Sequence, residues 1–144
     1  MEFSQLIARA QAVLAPRKLS RWAEAGGVAA AILTDQGHVY VGVCIDTSCS
    51  MGFCAEHAAA AAMITAGESV IQKLVAVNSH GAILPPCGRC REFLSQLAEE
   101  NAEAQVLVSE DIVLPLRELL PWDWKQHWKT GETKIKEEQE VKEG

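Results

Sequence analysis

No run of apolar residues in this chain approaches the roughly 20 that a membrane-spanning helix needs, so no span is expected. A dense basic stripe is also missing. Thirteen Lys and Arg against 19 Asp and Glu leave a formal charge of -6, which suits a nucleic-acid polymer poorly as a partner. The amino terminus, MEFSQLIARAQAVLAP, lacks the order of a secretory signal, because an acid stands at Glu2 and Arg9 interrupts the apolar pattern. A cytoplasmic location is therefore expected. No internal repeat stands out. An even cysteine count is lacking too: Cys44, Cys49, Cys54, Cys87 and Cys90 cannot all pair, and in a cytoplasmic chain they read as metal ligands or core thiols rather than staples.

What remains is an ordinary globular composition, 49% hydrophobic and 22% charged over 144 residues, enough for one core and too little for two. Phe3, Leu6, Ile7, Ala10 and Leu14 recur at helical spacing, predicting a helix over Glu2 to Ala15 that Pro16 stops. Val28 to Leu33 and Val39 to Ile45 read as a hairpin across Thr34-Asp35-Gln36-Gly37-His38. An alanine-rich helix over Ala55 to about Ala66 is expected to be buried, its small side chains permitting close approach. Further on, Leu74 to Asn78 predicts a strand, Ser79 to Pro86 a loop, and Cys87 to Glu100 a helix with Phe93, Leu94 and Leu97 facing inward. Val106 to Val108 predicts another strand, and LPLRELLP a last helical turn or two. Such alternation argues for an α/β sandwich around a mixed sheet of four to five strands, the first two antiparallel. Residues 1–124 read as one domain, and 125–144 as a charged tail, frayed or disordered.

Chemistry concentrates at two helix starts. Cys54-Ala55-Glu56 opens the alanine helix, and Pro86-Cys87-Gly88-Arg89-Cys90 opens a second one 33 residues after Cys54. The first turn of a helix presents unpaired N–H groups and the positive end of its dipole, which favour thiolate. Two such starts aimed at one point would gather three thiolates, the donor set of a zinc ion with one open position. A lone C-x-x-C is weak evidence, since it also serves redox proteins, and Cys54 alone would read as a core thiol. Cys-Ala-Glu together with Pro-Cys-x-x-Cys is specific, because it supplies three ligands and an acid–base group at once.

These two motifs resemble the zinc-dependent cytidine deaminase superfamily, in particular the small tetrameric cytidine deaminases and blasticidin S deaminase. The resemblance runs from the VAAAIL strand to Leu119-Leu120-Pro121. It implies a three-layer α/β/α sandwich, Zn2+ held by Cys54, Cys87 and Cys90, and hydroxide available near neutral pH to attack C4 of a cytosine ring. By the same likeness Glu56 shuttles the proton, and the Ala55 N–H donates to the ring O2. The substrate is then a small nucleoside, and the assembly a homotetramer with shared active sites.

Three thiolates leave zinc formally at -1, so donors should draw charge off the sulfurs. The nucleoside enzymes usually place an arginine directly after the glutamate. That position here is His57, while Cys87-Gly88-Arg89-Cys90 matches blasticidin S deaminase, so the role goes to Arg89 and a minor one to His57. Where the family carries Asn-x-Glu for the ribose, this chain has Cys44 and Asp46, and the aromatic expected on the base falls near Gly26. Substrate recognition is therefore expected to have shifted, toward modified cytosine nucleosides or a looser pocket. Trp124 matches in spacing the aromatic that reaches a neighbouring subunit's site. Two rivals stand beside the deaminase reading: deamination of the antibiotic blasticidin S, and a non-catalytic zinc module closed by Cys44, Cys49 or His57.

Overall fold

A computed structural model describes residues 1–128 of the chain. The part of the charged tail beyond residue 128 lies outside the described residues.

The elements in order are α1 (Phe3–Gln11), β1 (Arg17–Ser20), β2 (Ala23–Thr34), β3 (Val39–Thr47), α2 (Ala55–Thr65), β4 (Ile71–Asn78), α3 (Gly88–Gln96), β5 (Gln105–Ser109) and β6 (Ile112–Pro115). Short 3-10 turns cover Ser48–Ser50, Glu99–Glu103, Leu116–Leu119 and Trp124–His127. All strands join one mixed sheet of six, in which β4 and β5 pair parallel and the other pairs are antiparallel. Along one edge β2 pairs with β3; along the other it pairs first with β1 and then with β4.

The unbroken apolar run of β2 has a direct cause: both faces of the sheet are covered. Ala29, Ala31 and Leu33 pack under α1 with Leu6, Ala10, Val75 and Val77. Ala30 and Ile32 face the opposite way, onto Ala55, Ala59, Ala60 and Met63 of α2 and Leu94 of α3. The result is the three-layer α/β/α sandwich.

Alanine is what lets α2 lie so close to the sheet. A Cβ built on Gly42 of β3 would stand 2.3 Å from Ala59 N and 2.6 Å from Ala58 Cβ, so glycine on the strand and alanine on the helix are matched halves of one contact. This contact sets the depth of α2, and with it the position of the helix's amino end.

Several boundaries differ from the sequence expectation. The sheet has six strands rather than four to five, with β1 and β6 added. Helix α1 ends at Gln11 instead of Ala15, because the chain turns so that Ala15 N–H reaches Gly26 O at 3.1 Å. Helix α3 stops at Gln96 instead of Glu100. Its terminus is taken by the fully buried Asn101, whose Nδ2 donates to Leu94 O and Ser69 O, both at 3.0 Å, while its Oδ1 accepts from Ile71 N at 2.8 Å. LPLRELLP forms the end of β6 and a 3-10 turn. Among the described residues, no helix is long and apolar enough to cross a membrane.

Candidate metal centre

Two adjacent helix starts build the centre. Cys54 is the N-cap of α2 and Cys87 that of α3, both with extended backbone (φ -74°, ψ 160° and φ -66°, ψ 167°). Neither side chain is spent on capping its helix, so both sulfurs remain available to the space between. Cys90 lies in the first turn of α3 and is buried. An exchange of hydrogen bonds between Ile45 and Phe53, 3.0 and 2.9 Å long, returns the chain from β3 to the start of α2 and fixes where Cys54 begins.

Cys87 Sγ lies 3.5 Å from both Cys54 Sγ and Cys90 Sγ, and all three sulfurs fall within 4.8 Å of one another. Tetrahedral zinc with bonds of about 2.3 Å places neighbouring sulfurs roughly 3.8 Å apart. The donor set and its spacing thus fit zinc. Among the described residues no fourth ligand joins this group. Cys44 accepts a hydrogen bond from Val28 N–H at 3.3 Å, and Cys49 is exposed on the loop before α2.

Burial, contact with Cys87 and the Glu56 charge push the Cys54 thiol up. Cys90 is pushed up further, chiefly by burial and by Glu56. At Cys87 burial acts the same way but is outweighed by the backbone N–H groups of Cys90 and Arg89 and by contacts with Cys54 and Cys90, so its pKa falls. Glu56 is nearly inaccessible at 4% exposure, and burial raises its carboxyl above the usual range while contact with Cys90 opposes the rise.

Around these groups lies a cavity of about 610 Å3. Ala55, Glu56, Cys54 and Cys87 line its floor, Gly27, Val28, Cys44 and Asp46 one wall, and Asn78 to His80 with Leu84 and Pro85 another. Sequence reasoning missed most of the second wall. Its signal was the Asn-Ser-His-Gly turn at the end of β4: Asn78 Oδ1 accepts from His80 N at 3.0 Å and Ala82 N at 2.9 Å, folding the loop back over the site.

The two residues assigned to the thiolates make different contacts. The Arg89 side chain lines the cavity and donates from Nη1 to Gly52 O at 3.3 Å. His57 instead sets Nδ1 3.2 Å from Cys90 Sγ, its ring stacked on Phe93 with centroids 4.1 Å apart and an interplanar angle of 11°. Burial, aided by the Arg89 charge, holds its imidazole below the usual pKa. Trp124 does not meet this cavity on its own chain. Its Nε1 donates to the Glu92 carboxylate, and it lines a separate cavity of about 530 Å3 with Leu116, Leu120 and Trp128.

No family model matches the chain. A curated cytidine deaminase of Mycobacterium tuberculosis (strain CDC 1551 / Oshkosh) is 36% identical over 86 residues, 59% of this chain and 62% of that protein, so the match spans about three fifths of its curated relative. The crystal structure of cytidine deaminase from Mycobacterium tuberculosis superposes with a TM-score of 0.71 at 30% identity, over 85% of this chain and 96% of that one. That of cytidine deaminase from Burkholderia pseudomallei gives 0.68 at 26% identity, over 85% and 98%.

Proposed function

The chain belongs to the cytidine deaminase family, and from that premise we propose that it is a zinc-dependent hydrolase acting on cytosine nucleosides. Water and the nucleoside become the uracil nucleoside and ammonia. The observation that carries this reading is the meeting of three sulfurs beside a buried carboxyl, with Cys54, Cys87 and Glu56 in the lining of one cavity. Its size lies in the range of small-molecule sites.

Cys54, Cys87 and Cys90 hold the metal. When bound, zinc supplies the Lewis acidity that brings a water's pKa near 7. Glu56 carries the protons: it accepts one from the attacking water and delivers it to ring N3, then takes a second from the new C4 hydroxyl and passes it to the amine, which leaves as ammonia while the C4 carbonyl forms. A carboxyl whose pKa burial has raised toward neutrality both takes and gives protons more readily than an exposed one. The Ala55 N–H belongs to the first turn of α2, where the helix itself offers no acceptor, and so donates to the ring O2. Cys44 and Asp46 form the wall assigned to the sugar. Cys44 already accepts from Val28, and its S–H is a weak donor, so grip on the sugar is loose and modified nucleosides are admitted.

Residues 1–124 make up the deaminase domain and the charged stretch beyond is appended to it. The chain assembles as a homotetramer, which the broad exposure of Trp122 and Trp124 supports. A cytoplasmic location agrees with five free cysteines. Against a closed structural zinc module stands the want of a fourth ligand among the described residues.

The test is Glu56→Gln. The variant should keep one zinc per chain and the mass of a tetramer by light scattering while releasing no ammonia; undiminished turnover would refute the role of Glu56. Ultraviolet spectra of the parent with cytidine, deoxycytidine, N4-substituted cytidines and blasticidin S then identify the accepted base.

A further inference from the structure

We propose that His57 is the positioning residue of the metal centre, donating its Nδ1–H to the Cys90 sulfur and locking the two cysteine-bearing helices in register. This rests on the reading of Cys54, Cys87 and Cys90 as zinc ligands.

The geometry is that of a wedge. Cys90 and Phe93 lie three residues apart on α3 and share one face of it. From α2, His57 meets both at once: Nδ1 stands 3.2 Å from Cys90 Sγ, and the ring plane lies against Phe93 at 4.1 Å. Stacking fixes the plane of the imidazole, and the plane fixes where Nδ1 points. A thiolate bound to a metal has no proton to give, so the proton of this hydrogen bond belongs to Nδ1. The bond draws electron density from Cys90, the most deeply buried of the three sulfurs. Arg89 is turned to the Gly52 carbonyl and does not supply it through its side chain.

Two consequences separate this from plain packing. His57→Leu and His57→Asn have side chains of similar size, but only Asn keeps an N–H at the place of Nδ1. In chelator competition with the full chain, His57→Leu should bind zinc roughly 10- to 100-fold more weakly than the parent. His57→Asn should recover most of the difference, and Arg89→Gln should stay within about threefold of the parent, as a group outside the hydrogen-bond shell would. In the cobalt-substituted proteins the sulfur-to-metal charge-transfer band should move to lower energy in His57→Leu and return in His57→Asn. His57→Phe, which keeps an aromatic ring for Phe93 but no donor, should behave as His57→Leu. An unmoved band in both donor-less variants overturns the proposal, as does a loss in His57→Asn equal to that in His57→Leu. A parent that binds zinc with no difference among the His57 variants sinks this inference alone; a parent that binds no zinc sinks the proposed function with it.

Discussion

Gly42→Ala is the sharpest test of how the fold positions the site. The added methyl would stand 2.3 Å from Ala59 N and 2.6 Å from Ala58 Cβ, where carbon contacts relax only near 3.5 Å. One of the obstructing atoms is helix backbone, which no rotamer change can move. The helix must therefore withdraw from β3 by about 1 Å, opening the alanine interface along Ala55, Ala59 and Ala60. Overpacking of this kind costs roughly 1–3 kcal/mol, and an obstruction by backbone argues for the upper half of that range. At this chain length each kcal/mol lowers the unfolding temperature by about 3–4 °C, so a fall of roughly 6–12 °C is expected by calorimetry at equal zinc loading. Activity should fall further than stability suggests. Ala58 lies one turn beyond Cys54, and a displacement of about 1 Å at a catalytic group costs on the order of 100-fold in turnover. A variant melting within about 1 °C of the parent and turning over within twofold of it would show that α2 is not held by this contact.

Asn101→Ala should cost about 2–4 kcal/mol in urea unfolding, because it strands the Ile71 N–H and the Leu94 and Ser69 carbonyls in the interior; a loss under about 1 kcal/mol would contradict the buried network. A pH effect is expected at Glu68, buried near the far end of α2, whose carboxylate the hydroxyl of Tyr40 chiefly, with Thr34 and His38, holds below its usual pKa. A depressed pKa gives stability that is complete above the unfolded value, about 4.3, and is lost as pH falls through the folded one. The parent's advantage in melting temperature over Glu68→Gln should accordingly shrink between pH 6 and pH 3, and parallel curves would refute the assignment.

How much could be read beforehand depended on whether the cause was local. The run from Val28 to Leu33 was legible because burial on both faces demands unbroken apolar side chains. β1 was not: its four residues, Arg17 to Ser20, are all exposed, and the strand exists only because Arg17 and Lys18 find Ala25 and Glu24 of β2. The end of α3 was hidden for the same reason, being set by Asn101 and its partners across some thirty residues of chain. Within the site, the three cysteines and Glu56 were legible because their spacing is tied to helix starts. The contacts of the Arg89 and His57 side chains were not. Charge and the likeness to blasticidin S deaminase favoured the arginine, but a long side chain goes where an acceptor is, and Gly52 O provides one.

Helix starts also explain why this is a place for a divalent ion rather than a redox pair. Thiols gathered within 4.8 Å repel one another once ionised, and burial adds to the penalty. Cys54 and Cys90 show it as raised pKa values, while Cys87, nearest the free N–H groups of α3, escapes. A redox pair needs only one low-pKa sulfur with a partner beside it, and Cys87 with Cys90 would suffice. Bringing in Cys54 from a helix 33 residues upstream makes sense only if a cation offsets the added charge. Two positive charges against three negative ones leave a net -1, which short N–H donors can draw off without closing the metal's remaining corner. The Arg89 and Cys90 amides do so at Cys87, and His57 Nδ1 is in place to do so at Cys90. On the cavity side, beside Cys54 and Cys87, stands the carboxyl of Glu56.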